Sequence, residues 1–262
     1  MKSTLSQLSR RTFGMAALAA AATPLLSACG GGGDTTSATY NDRTPGTVPM
    51  TVTHKVTMTV SMPDLTGVTN PSTLDQAGYD ALPMVTKTIN LGLDHTHAPL
   101  STENFLAYLN AGTYLNTIFH RVVPTSYEVG VVNGSLVQVE QFSIVQGGGF
   151  TDANGTLTAV ATKDPIALES RNGLANTRGT LGMARTTEAN SATSQFYINR
   201  SNVNASYFDY VSDSQPGYAV FGTVLDADSM ATVDAIAQIR TNDSQQPLRD
   251  VTITAISVVS LL

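Results

Sequence analysis

The residues able to do chemistry fall into a few short runs. Phe119-His120-Arg121 sets a permanent cation beside an imidazole, and Gln146-Gly147-Gly148-Gly149-Phe150 and Ser194-Gln195-Phe196-Tyr197 follow further on. An arginine keeps its charge at any working pH and presents a rigid fork of donors, which suits meeting a lone pair at a fixed place. Taken alone, Arg121 reads more often as a surface or ion-paired arginine, and Gln146 and Gln195 as sheet hydrogen-bonders. His95-Thr96-His97 has the spacing of a chelating pair with Asp94 adjacent. No third ligand is evident, so no metal is expected. Gly147–Gly149 is not a phosphate loop, since no Lys-Ser/Thr pair or helix signal follows. No Gly-x-Ser-x-Gly occurs, so hydrolase chemistry lacks its nucleophile turn.

Composition narrows the setting. The 262 residues are 42% hydrophobic but only 13% charged, with 21 Gly, 11 Pro and no Trp. Rich in Thr, Val and Ser, such a chain suits a β-rich domain with many turns. Removing residues 1–28, which hold Lys2, Arg10 and Arg11 and no acid, leaves 11 of the 14 basic residues against all 20 acidic ones, a net charge of −9. That surface repels a phosphate backbone, so no nucleic-acid partner is expected. One Cys permits no internal disulfide and no Cys-rich zinc site.

The N-terminus reads as an address. Residues 1–28 run from a basic start through a short apolar stretch to small residues, the pattern of an export signal. Ser9-Arg10-Arg11-Thr12-Phe13 resembles the bacterial twin-arginine signal, although the pair also fits the basic region of a general secretory signal. Leu26-Ser27-Ala28-Cys29 resembles a lipobox, and the lone Cys lies at its end. Cys29 is therefore the expected lipidation site and membrane anchor, at ~0.8 kcal/mol per buried CH₂. Residues 29–50 read as a flexible tether. The expected location is the cell envelope or periplasm.

Periodicity places the elements that must position the chemistry. Alternation predicts strands over 51–61 and 85–93, and helices over 101–112 and about 229–240. Ser101 or Thr102 can cap the first helix and Gly112 can end it. Asn133-Gly134 between alternating segments predicts a hairpin over 127–139. Further strands are expected near 142–146, 165–168, 180–185, 195–199, 218–224 and 250–259.

Four ordered segments then carry a family resemblance: Tyr114–Pro124, Gln146–Phe150, Asn176–Asn199 and Gly217–Val224. Together they resemble the bacterial cyclophilins, which are peptidyl-prolyl cis-trans isomerases, over about residues 50–262. The resemblance implies a mainly β fold, a closed eight-stranded antiparallel barrel capped by two α-helices, over residues 51–262. It implies a monomeric enzyme needing no cofactor, whose partners are proline-containing peptides and unfolded envelope proteins.

It also assigns roles. The amide before proline rotates over a barrier of ~18–20 kcal/mol because the nitrogen lone pair is conjugated with the carbonyl. Arg121 matches the residue that donates to that lone pair in the twisted state. Gln146 and Gln195 match polar substrate contacts. Ile144, Tyr197 and Phe208 match walls of the proline pocket, and Tyr218 its mouth. Ala184 and Arg185 match the segment whose main chain pairs with substrate, and His120 a supporting neighbour.

Two departures stand out. Arg121 and Gln146 are 25 residues apart, against about 8 in compact relatives, the excess being a hairpin inserted over about 124–141. Counting back from Gln146, the usual pocket Phe falls on Ser143, with Phe142 one residue earlier. A one-residue bulge would turn Phe142 inward; otherwise the pocket lacks that wall. The competing reading is a cyclophilin-like peptide-binding or chaperone module with little catalytic activity.

Overall fold

The computed structural model describes residues 42–133 and 135–262. Residues 1–28, expected as an export signal, and Cys29, expected as the lipidation site, lie outside the described residues. Within the stretch expected as tether, the backbone N–H of Thr47 and of Val48 donates to the Gly173 carbonyl at 3.0 and 3.2 Å.

The first half of the body comprises β1 (His54–Pro63), α1 (Gln76–Asp80), β2 (Met84–Leu93), α2 (Pro99–Asn110) and β3 (Arg121–Val123). Then come β4 (Tyr127–Val132), β5 (Ser135–Glu140), β6 (Ile144–Gly147), β7 (Phe150–Ala153) and β8 (Thr156–Ala159). The last part holds β9 (Thr180–Met183), β10 (Phe196–Asn199), α3 (Asn204–Phe208), β11 (Val220–Val224), α4 (Ala227–Ile236) and β12 (Thr252–Ser260). Eight strands form one strongly curled antiparallel sheet in the order β12-β1-β2-β11-β9-β10-β6-β3. The pairs β4-β5 and β7-β8 are separate hairpins.

Period-two alternation explains which face each strand buries. In β1, Val56, Met58, Val60 and Met62 point into the core while Lys55 and Thr57 face water. Ile89, Leu91 and Leu93 do the same from β2. Helix α2 adds Phe105 and Tyr108, and Phe105 meets Phe196 edge-on at 5.4 Å and Tyr114 at 4.9 Å. Pro99 starts α2, and Ala98 at its N-cap offers no side-chain bond. The Glu169 carboxylate accepts from Leu100 N, Ser101 N and the Ser101 hydroxyl at 2.6–3.0 Å instead, so the expected Ser/Thr cap is replaced from outside. Gly112, at φ 71°, ends α2 as expected. Helix α4 is capped by Asp226, whose carboxylate accepts from Ser229 N at 2.7 Å.

The sheet does not close into the barrel that the resemblance implied. Its edge strands β3 and β12 share no ladder. They approach only through one bridge, Ile118–Thr252, and backbone bonds between 116–119 and 251–253. The reason is local. β3 is three residues long and Pro124 follows it without an N–H. The Val122 N–H is also already taken, by the Gln245 carbonyl at 2.8 Å. The loop after α4 thus fills the place where β12 would pair. The strand expected near 165–168 is likewise only a bridge from Ile166 to Ala192.

Candidate active site

The sheet has a second apolar cluster on the face opposite the core. Along β9, β10, β6 and β3, Leu181, Met183, Ile198, Val145 and Val122 enter the core. The residues between them turn outward. Val123, Ile144, Ala184, Tyr197 and Phe208 form a separate cluster, with Phe142 and Tyr218 packed on its rim. The expected pocket walls therefore come together, with Arg121 at their edge.

Register sets the polar row. Arg121 lies directly across from Gln146, and Gln146 across from Tyr197. The Arg121 Nε donates to Gln245 Oε1 at 2.8 Å and its Nη1 to Gln146 Oε1 at 3.2 Å. Gln146 Nε2 passes the chain on to Gln195 Oε1 at 2.9 Å. The guanidinium is half-buried, and burial lowers its pKa below the ordinary arginine value, with Tyr218 acting more weakly the other way. No carboxylate pairs with Arg121 among the described residues. Two neutral amides orient the cation without neutralising it, and its Nη2 makes no hydrogen bond among the described residues.

Tyr197 is buried across the middle of the cluster. Its hydroxyl donates to Asn176 Oδ1 at 2.7 Å, and its ring stands 5.6 Å from Phe208 and 6.0 Å from Tyr218. The ring has room because residue 182 opposite it is glycine. Gly149 gives Gln195 room in the same way: a Cβ there would lie 2.7 Å from the Gln195 side chain.

Phe142 and Ser143 take different sides. Ser143 is fully buried, its hydroxyl donating to the Val123 carbonyl at 2.8 Å and accepting from Arg200 Nη1 at 2.9 Å. Phe142 is the residue in the aromatic group, 5.2 Å from Phe208 and 5.6 Å from Tyr207. No bulge turns it. The β3–β6 ladder ends at Val123–Ile144, so Phe142 precedes the strand and escapes its alternation.

The remaining expected residues have mixed settings. The Ala184 N–H is already given to the Gln195 carbonyl at 3.0 Å. Arg185 stacks over Tyr218 at 4.5 Å and donates through Nε to the Gly217 carbonyl at 2.8 Å, so its side chain braces Tyr218. His120 packs edge-on against Phe150 at 4.8 Å. Burial lowers its pKa to about 4; the Ile118 carbonyl and Gln195 side chain favour the cation more weakly, and nearby Arg121 disfavours it. Its Nδ1 has no hydrogen-bond partner. His120 is thus neutral at pH 7 and leaves Arg121 as the charge at this edge. His97 pairs with Asp94 at 2.7 Å and His95 with Glu103 at 2.9 Å.

Three site residues escape a reading of the sequence. Gln245 lies in a polar turn at φ 64°, with no spacing that ties it to Arg121. Asn176 opens one of the segments noted above, but its bond to Tyr197 appears only in the fold. Gly182 gains meaning only from the strand opposite it.

Comparisons with known proteins identify the family. The family model "Cyclophilin type peptidyl-prolyl cis-trans isomerase/CLD" matches residues 82–258. Peptidyl-prolyl cis-trans isomerase A of Dickeya dadantii is 42% identical over 155 residues, 59% of this chain and 68% of that protein. A peptidyl-prolyl cis-trans isomerase of Acinetobacter baylyi is 38% identical over 187 residues, 67% of this chain and 86% of that one. Peptidyl-prolyl cis-trans isomerase B of Escherichia coli is 41% identical over 167 residues, 62% of this chain and 87% of that one. In structure, a cyclophilin-type isomerase of Cryptosporidium parvum superposes with a TM-score of 0.50 at 19% identity, covering 81% of this chain and all of that one, which supports the fold alone. On the family match and the extent of these relatives, this chain belongs to the cyclophilin-type peptidyl-prolyl cis-trans isomerases.

Proposed function

We propose that this isomerase rotates Xaa-Pro bonds in exported proteins, and that Arg121 does so by donating to the prolyl nitrogen in the twisted state. The proline ring would rest on Phe142, Ile144, Tyr197 and Phe208, with Tyr218 at the mouth and Gln146 and Gln195 on the peptide backbone. Rotation makes the nitrogen pyramidal and frees its lone pair, which accepts a hydrogen bond only then. A donor met only in that state lowers the barrier instead of merely tightening binding. No proton moves and no covalent bond forms, so no cofactor is required.

The observation that carries this reading is the bracing of Arg121. Its charge is half-buried and held by the Gln146 and Gln245 side-chain oxygens, and among the described residues no carboxylate quenches it and its Nη2 makes no hydrogen bond. A cation there is stabilising to a lone pair that appears in a partly dry place. The assignment of exported substrates, and of a lipid anchor at Cys29, rests on Arg10-Arg11 and Leu26–Cys29.

The test is cis-trans exchange of a short Ala-Pro-Phe-type peptide with residues 42–262. Arg121→Ala is expected to lower kcat/KM by about 100-fold, the usual loss for one preorganised donor. Arg121→Lys restores little, because a point charge lacks the fork that the two glutamines hold. A folded Arg121→Ala protein within threefold of native would remove Arg121 from the mechanism.

A further inference from the structure

Strands β4 and β5 form a two-stranded sheet of their own, with both outer edges unpaired. One face carries Tyr127, Val129 and Val131 across from Glu140, Gln138 and Leu136. Tyr127 is 58% exposed, Val129 68%, Val131 67% and Leu136 76%. A contiguous apolar strip of this kind marks a binding surface more than a solubilising insert, which would carry charge or Thr there.

Three observations say what covers it. The first is continuity with the proline site. The hairpin leaves from Val123, a member of the outer apolar cluster, and returns at Phe142, which packs against it. Gln141 at its foot accepts a hydrogen bond from the Tyr207 hydroxyl at 2.9 Å, and Tyr207 touches Phe142. The second is charge: residues 124–141 hold no basic residue, and Glu128 lies between the apolar positions on the opposite face, the one that residues between the flank's apolar side chains would meet. The third is reach. Six residues per strand span about 20 Å, the length of some six extended residues.

We infer that the hairpin is a second docking surface for the isomerase's own substrate, taking the extended segment that flanks the proline. It favours flanks with apolar side chains at alternate positions and Lys or Arg between them. The flank adds a strand to the free edge, its backbone satisfying the unpaired N–H and C=O groups while its apolar side chains cover the strip. The inference rests on the isomerase reading of the adjoining site and names the class of polypeptide that site prefers.

The test compares a tetrapeptide centred on Ala-Pro with a 14-residue peptide that extends it on both sides with alternating Val and Lys. The native protein should turn over the long peptide with a kcat/KM at least fivefold above the short one. Val129→Thr/Leu136→Thr changes two exposed side chains and should erase that advantage while leaving the tetrapeptide rate unchanged. Tyr127→Ser provides a second variant, and circular dichroism checks the fold of each. An equal advantage in native and variant proteins, or none in the native protein, overturns the inference while the isomerase reading stands. If neither peptide is accelerated, the isomerase reading fails by itself. Anisotropy of the labelled long peptide then decides the docking claim: a Kd weakened fivefold in the variant supports it, and an unchanged Kd overturns it. A native dimer that the double variant dissociates means a second copy covers the strip, which also overturns it.

Discussion

Gly182→Ala should damage this protein far more than adding one methyl group suggests. A Cβ at residue 182 would sit 2.8 Å from Cε1 of Tyr197, and closer still to Cζ and the hydroxyl oxygen. Carbon atoms pack best at about 3.5–4.0 Å, so the ring must retreat by more than about 1 Å. Tyr197 is 1% exposed and has nowhere to go, with Phe208 and Tyr218 on its flanks. Its retreat also breaks the 2.7 Å bond from the hydroxyl to Asn176 Oδ1. Overpacking costs about 1–3 kcal/mol and a buried unsatisfied group a similar amount, so a total loss of about 2–6 kcal/mol is expected. Urea unfolding measures it. The decisive comparison is a double-mutant cycle with Tyr197→Ala. Once the ring is gone, Gly182→Ala should cost less than about 0.5 kcal/mol, because nothing remains for the methyl to strike. Equal costs in both backgrounds, or a native-background cost under about 0.5 kcal/mol, would refute the argument that Gly182 exists to seat Tyr197.

Two further outcomes follow from the same site. Phe142→Ala should leave the fold nearly intact but lower kcat/KM for proline peptides about tenfold, as expected for losing part of an apolar wall worth ~1.5–3 kcal/mol. Ser143→Ala should do the reverse, costing about 1–3 kcal/mol of stability through its lost bonds to Val123 and Arg200 while the rate on short peptides stays within twofold; the opposite pattern would put Ser143 in the pocket. His120 titrates near 4 in the fold and at the ordinary 6.5 when unfolded, so the unfolded chain binds the extra proton between those values. Stability is thus full above pH 6.5 and falls as the pH drops toward 4, by at most about 3 kcal/mol, and His120→Gln should flatten that slope in urea titrations run at stepped pH.

What was legible in the sequence depended on how local the cause was. Strands β1 and β2 were readable because Val56, Met58, Val60, Ile89 and Leu91 alternate with polar residues, and alternation is written in one segment. The Asn133 turn was readable for the same reason, and its φ of 50° is the positive value that a two-residue turn requires. Asn154-Gly155 carried the same signal, with φ of 56° and 81°, but its strands are mostly exposed and have little apolar pattern to point to them. The run at 165–168 looks like a strand, yet its neighbour Glu169 is drawn away to the start of α2, a cause lying 68 residues from its effect. The site divides in the same way. Arg121, Gln146, Gln195 and Tyr197 sit in recognisable motifs. The bracing of Arg121 by Gln245 spans 124 residues and is visible only once the chain has folded. The open edge of the sheet has the same origin, since a loop carbonyl competes there with a strand.

The pairing of β1 with β12 matters for the order of events during folding. His54 faces Ser260, so this ladder joins positions roughly 200 residues apart along the chain, the kind of contact that slows a search. Until β12 arrives, β1 has β2 on one side and an open edge on the other, with Val56, Met58 and Val60 alongside. A newly made chain therefore passes through an interval in which this apolar-flanked edge waits for β12. Any lesion that delays or removes Thr252–Ser260 lengthens that interval, and aggregation rather than slow activity is the phenotype to expect.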